Sequence, residues 1–275
     1  MLSRLLASGA ALTLCGGASA QHADFQLIND GSGQIKSGLI DRDQITEQNP
    51  CPVIDDNFRV YTARLDDGSI PHFENFPGFN ACNGAFAQGS FVGFNLVDAL
   101  RRWDGSDFDE IPVNETMFVS SGGGNPIFVE TPASADQFVP GFDMTVIGSD
   151  GSMHNHVQYF LSAISGEPEA GVYLLTLQVE SSQSDLAPTD PLFIVFADGA
   201  PQSELDAAAQ FVQDELVDPA CVGDLSGDGS IGFDDLNAFV AAFQSGDPAG
   251  DLDGNGRVGF EDLNIFTDAF QSGCP

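Results

Sequence analysis

Apolar and polar residues alternate in short runs through most of this chain. The runs are too short, and too rich in β-branched and aromatic side chains, to be helices. Residues 58–63, 90–94, 115–119, 144–147, 158–161, 172–179 and 192–196 carry the pattern. Between them lie clusters such as Ser121-Gly122-Gly123-Gly124-Asn125-Pro126, whose backbone preferences favour turns. Repeated short strands with frequent turns predict a mainly β fold, an antiparallel β-sandwich over residues 21–200. A short helix is expected to interrupt it near residues 96–103. The period then changes: Leu205, Ala208, Phe211, Val212 and Leu216 recur at helical spacing behind Ser203-Glu204-Leu205-Asp206, which has the form of a capping box. This predicts a helix and linker over residues 201–218, with an apolar stripe that must bury against the sandwich.

A third pattern begins at Gly223, where the chain repeats itself after 27 residues and 16 of 24 aligned positions are identical. A period of this size marks a duplicated supersecondary unit. Each unit spaces oxygen-bearing side chains as a calcium loop does, at positions 1, 3, 5 and 12, with glycine at 6 for the sharp reversal. The first loop offers Asp224, Ser226, Asp228 and Asp235 around Gly229, and the second Asp251, Asp253, Asn255 and Asp262 around Gly256. Ser230 and Arg257, at position 7, would ligate through their backbone carbonyls. Ile231 and Val258, at position 8, would let the loops pair back to back. Each loop is followed by a helical stripe: Leu236, Phe239 and Phe243, then Leu263, Phe266 and Phe270. Residues 219–275 are therefore expected to form a small all-α, EF-hand-like module that binds two calcium ions. Because so small a module has a meagre core and its acidic loops repel each other, its folding should be coupled to the metal.

Charge narrows the partners. Eight Lys and Arg face 41 Asp and Glu, a net charge of −33, so phosphate backbones are repelled and nucleic acid is excluded as a partner. Twenty-three Phe within a 42% hydrophobic composition supply a core and exclude wholesale disorder. Residues 1–20 have the form of a secretory signal, with Arg4, an apolar stretch and the small residues Ala18-Ser19-Ala20, predicting an extracellular or cell-surface product that begins at Gln21. Leu14 before Cys15 argues against lipidation. Nothing after residue 21 is apolar enough to span a membrane. Cys51, Cys82, Cys221 and Cys274 then enter an oxidising compartment, where three pairings are open. The local one, Cys51 with Cys82 and Cys221 with Cys274, keeps each bridge within its own segment.

The duplicated loop and helix resembles a type I dockerin, of the variety ending in Gly-Cys, here Ser272-Gly273-Cys274-Pro275. The resemblance implies calcium-dependent docking onto a cohesin-like or other surface scaffold protein. Positions 10 and 11, which often hold small hydroxyl residues in cellulosomal dockerins, are Phe233-Asp234 and Phe260-Glu261 here, which argues against a conventional cellulosomal cohesin.

In the β region, His154-Asn155-His156 precedes Tyr159-Phe160, and Gly171-Val172-Tyr173 follows. With the early His22-Ala23-Asp24, this is similar to choice-of-anchor and surface-anchored repeat domains of bacterial envelope proteins, a resemblance that implies metal handling. Two histidines spaced two apart on a strand share a face, and their imidazoles suit zinc or copper; His22 or Asp24 would complete the site if the first strand lies nearby. No nucleophile elbow, phosphate loop or HExxH motif is present, and no catalytic pair stands out among 41 acids. The expectation is a non-catalytic surface protein anchored by its calcium module. Its rivals are a polysaccharide-directed hydrolase tethered the same way and an envelope metal-binding protein that uses the His-x-His face.

Overall fold

The computed structural model describes residues 24–41, 44, 46, 51–217, 223–226, 230–252 and 255–272. In chain order the strands are β1 (Phe25–Ile28), β2 (Lys36–Ile40), β3 (Val53–Asp55), β4 (Val60–Arg64), β5 (Phe73–Glu74), β6 (Phe79–Ala81), β7 (Phe91–Leu96) and β8 (Arg101–Arg102). They continue with β9 (Glu115–Ser120), β10 (Phe128–Glu130), β11 (Val139–Val146), β12 (Met153–Asn155), β13 (Gln158–Ala163), β14 (Gly171–Ser181) and β15 (Leu192–Asp198). Three α-helices follow among the described residues, α1 (Gln202–Val212), α2 (Phe233–Ser245) and α3 (Phe260–Ser272).

Three sheets share the strands, in the orders β12-β6-β1-β2-β3, β10-β9-β13-β5 and β11-β7-β14-β15-β4, with β8 added along β14. Antiparallel pairs dominate, as expected, but β1 with β6 and β4 with β15 run parallel. Those partners are far apart in sequence, so alternation within each run carried no information on their direction.

Central strands read as continuous apolar runs because both of their faces are covered. Tyr173, Leu175, Leu177 and Val179 of β14, with Leu192, Ile194 and Phe196 of β15, point into a core that also takes Phe25 and Phe79 from the first sheet and Met117, Val119 and Tyr159 from the second. The alternate residues Val172, Leu174, Phe193 and Val195 face the other way, onto Leu205, Ala208 and Val212 of α1. Burial of each such Leu or Val contributes about 1.5–3 kcal/mol. Leu205, Ala208, Val212 and, partly, Phe211 of the expected stripe thus lie against the six-stranded sheet, whereas Leu216, in the π-helical turn Gln213–Val217 that follows α1, is 41% exposed.

Two local expectations are corrected. Ser203 does not cap α1: Pro201, extended at φ −65° and ψ 150°, starts the helix, and its carbonyl accepts from the backbone of Glu204 and Leu205. Nor is there a helix at residues 96–103. Leu96 ends β7, and the backbone N–H groups of Val97, Arg102 and Trp103 donate to Thr176, Glu110 and Val172 rather than along a helix. The Asp98 carboxylate fixes this turn by accepting from the Ala99 and Asp136 backbones and from the Arg101 guanidinium.

Cys51 and Cys82 form a disulfide, with sulfurs 2.07 Å apart. Cys221 and Cys274 lie outside the described residues. Among the described residues no helix is long and apolar enough to cross a membrane.

Candidate metal centres

Two sets of sequence-predicted ligands can be followed in space. In the repeat, the position-12 aspartates are the buried ones, with Asp235 1% and Asp262 0% exposed. Asp235 accepts from the Ser226 backbone at 2.8 Å and from Gly232 at 2.7 Å, tying the start of its loop to the start of α2. Those donors, Ser226 first, hold its carboxyl below the usual range against the opposing effect of burial. Asp262 makes the matching clamp, to Gly259 at 2.6 Å and to Leu252 at 2.7 Å, the latter one loop position earlier than Ser226. A shorter side chain than glutamate therefore closes each loop on its own backbone.

Within the first loop Ser226 donates to Asp224 at 3.2 Å, and Ser230 is exposed. In the second, Asp251 Oδ2 accepts from Gly256, whose φ of +84° is the left-handed turn that the sequence reserves for glycine, while Asn255 accepts from Arg257. Asp251 Oδ1 is buried and has no hydrogen-bond partner among the described residues. A buried, unsatisfied carboxylate oxygen at position 1 of a calcium-type loop fits a hard cation. Asp228 and Asp253 lie outside the described residues.

The loops are not joined by a β-bridge among the described residues. Ile231 and Val258 instead crowd Gly223 and Gly250 at their own loop entrances, where a Cβ would clash or press against them. The helices meet through Phe239 and Phe266, each 1% exposed and stacked at 4.5 Å with ring planes 7° apart. Because these residues occupy equivalent positions, the stack spans the pseudo-twofold of the duplication. Phe233 against Phe270 and Phe260 against Phe243 repeat the same relation on either side. Phe233 and Phe260 nevertheless stay 77% and 73% exposed.

The second cluster sits at one end of the first sheet. Registers pair Phe25 with Phe79 and Phe79 with Asn155, so Asp24, Gly78 and His156 fall one residue beyond this row, just outside the ends of β1, β6 and β12; of the two histidines expected on one strand, only His154 lies within it. The outer strands are roughly 10 Å apart, two strand spacings, and their side chains can meet only because glycine occupies the middle strand. A Cβ at Gly78 would lie 2.7 Å from the His156 ring. Its backbone N–H donates to Asp24 Oδ1 at 2.9 Å. His154 Nε2 lies 2.9 Å from His156 Nε2 and 3.3 Å from Asp24 Oδ2, and His156 Nε2 lies 3.9 Å from the same oxygen. His22 lies outside the described residues, so the partner that can be placed is Asp24.

The support around His156 was not legible beforehand. Its Nδ1 sits 2.9 Å from the Asn75 carbonyl, which can only accept, and its ring packs edge-on against Phe76 at 4.9 Å. Asn75-Phe76-Pro77-Gly78 signals only a turn in sequence. The other described histidine, His72, pairs with Asp198 at 2.7 Å and takes no part in the cluster.

No protein-family model and no curated protein matches the chain. Among solved structures it is similar to the CooA pilin subunit from enterotoxigenic Escherichia coli, with a TM-score of 0.26 and 13% identity over 52% of this chain and 91% of that one. A likeness at this level carries no functional argument.

Proposed function

We propose that the chain is a secreted, non-catalytic surface protein whose C-terminal repeat is dockerin-like, binds two calcium ions and docks onto a cohesin-like or other scaffold protein. The observation that carries this reading is the second loop, where Asp262 gathers the backbone from both ends and Asp251 holds a buried oxygen without a donor among the described residues. The first loop repeats the aspartate clamp. The exposed rings of Phe233 and Phe260 give the docking face an apolar character, so its partner presents apolar pockets rather than hydroxyl-binding ones. The Cys51–Cys82 disulfide agrees with an oxidising compartment.

Calorimetry of the demetallated full-length chain tests the reading. Calcium should bind at two sites, each loop offering three carboxylates and one neutral side-chain oxygen, Ser226 in the first and Asn255 in the second. No heat on adding calcium overturns it.

A further inference from the structure

We propose that Asp24, His154 and His156 form a three-donor site for a divalent first-row transition ion, zinc foremost, with its remaining coordination position open to solvent. The site lies in the β domain and stands independently of the calcium reading.

Donor spacing is the first argument. An ion held tetrahedrally at about 2.0–2.1 Å separates its ligand atoms by about 3.3 Å. The three separations here, 2.9, 3.3 and 3.9 Å, bracket that edge, and each closes or opens by well under 1 Å, within the reach of small side-chain rotations, to seat an ion.

Protonation is the second. A carbonyl cannot donate, so the contact from Asn75 places the His156 proton on Nδ1 and leaves the Nε2 lone pair facing His154 and Asp24. A histidine whose far nitrogen is tied to a carbonyl is the usual outer arrangement of a metal ligand. Asp24 is prepared in the same way, since Gly78 fixes Oδ1 and leaves Oδ2 toward the imidazoles. Its side chain is 9% exposed, whereas that of His154 is 62% exposed. An ion would thus be held from the protein side by Asp24 and His156 and approached through His154.

Stability gives no rival account. An ion pair to a histidine this exposed contributes little, about 0–1 kcal/mol. Yet a glycine is placed so that a carboxylate and an imidazole two strands apart can meet over it. Two imidazoles disfavour calcium and magnesium, which prefer oxygen, and the cluster holds no thiolate for copper(I). Zinc fits two nitrogens and one oxygen with a fourth position left for water or for an incoming donor. The net charge of −33 adds long-range attraction for any cation.

Zinc titration of the full-length chain, with calcium in saturating excess so that the C-terminal loops are filled, provides the test. Cobalt(II) absorption gives a second readout of nitrogen and oxygen ligation. Wild type should take up one zinc ion. His154→Ala, a change at an exposed side chain, should weaken uptake more than about 100-fold, and Gly78→Ala about 10- to 100-fold as it displaces His156. His72→Asn, which keeps a residue tolerant of the positive φ there, should leave uptake unchanged. Absence of stoichiometric zinc in the wild type overturns the proposal, as does equal uptake by wild type and His154→Ala, or equal loss in His154→Ala and His72→Asn. None of these outcomes bears on the calcium heats, so the two sites fail separately.

Discussion

The β domain and the C-terminal repeat solve the problem of stability in opposite ways. In the first, side chains from three sheets converge on one core, and a second apolar layer seals the six-stranded sheet beneath α1. In the second, the described rings buried completely enough to count as core are Phe239 and Phe266, and the rest of the organisation is aspartate accepting from loop backbone. Ordering a residue costs about 1–2 kcal/mol of backbone entropy, which a large apolar interior offsets and a two-ring stack does not. The β domain should therefore fold without calcium, and the repeat should depend on it.

Chelation is the largest perturbation of that contrast. Removing calcium from the full-length chain should abolish the helical circular dichroism of α2 and α3, while Trp103, the single tryptophan and buried in the β domain, keeps its fluorescence and near-ultraviolet signal. Unchanged helicity would mean that the stack alone suffices. Core truncation comes next. Phe196→Ala, at a fully buried ring beside Tyr159, should cost about 3–5 kcal/mol in denaturant unfolding of the β domain and leave the calcium heats intact. Phe239→Ala should do the reverse, raising the calcium concentration at which helix appears without moving the Trp103 transition. A single transition shifted by both changes would refute the division. The disulfide follows: it closes a 31-residue separation, and replacing Cys51 and Cys82 by Ser should lower β-domain stability by up to about 3–4 kcal/mol, read from the same unfolding curves.

The sequence exposed those features that depend on local periodicity. The long strands β14 and β15 and the helix α1 were legible because their apolar runs are longer than any turn. The short strands β1, β5, β6 and β12 were not, since two to four residues carry no measurable period and are fixed by partners elsewhere in the chain. Arg101 and Arg102 were assigned to a helix because nothing local shows that Trp103 donates to Val172. The proposed metal residues divide along the same line. His154 and His156 announce themselves by spacing, and the proposed calcium loops by repetition. The carbonyl of Asn75 and the close approach of His156 over Gly78 depend on strand pairings between residues about 80 apart in sequence, and Gly78 taken alone signals only a turn.

The smallest effect distinguishes the two regions by pH. Asp198, at the end of β15, is pushed above the ordinary carboxylate range by burial, an effect that His72 only partly opposes. A carboxyl raised in the folded state is favoured there in its protonated form. Its stabilising contribution is complete below the unfolded pKa, about 3.9, and is lost as pH rises through the higher folded value. With calcium saturating, the β domain should carry this term as a shallow fall in stability on the alkaline side of pH 4, and Asp198→Asn should flatten it, because the amide oxygen still accepts from His72. The α2 and α3 helices should show no change between Asp198→Asn and wild type over the same range. Unfolding curves followed by Trp103 fluorescence and by helical dichroism, collected across the acid range, read both regions at once. An identical slope in the mutant would show that Asp198 undergoes no net shift on folding, burial and His72 cancelling.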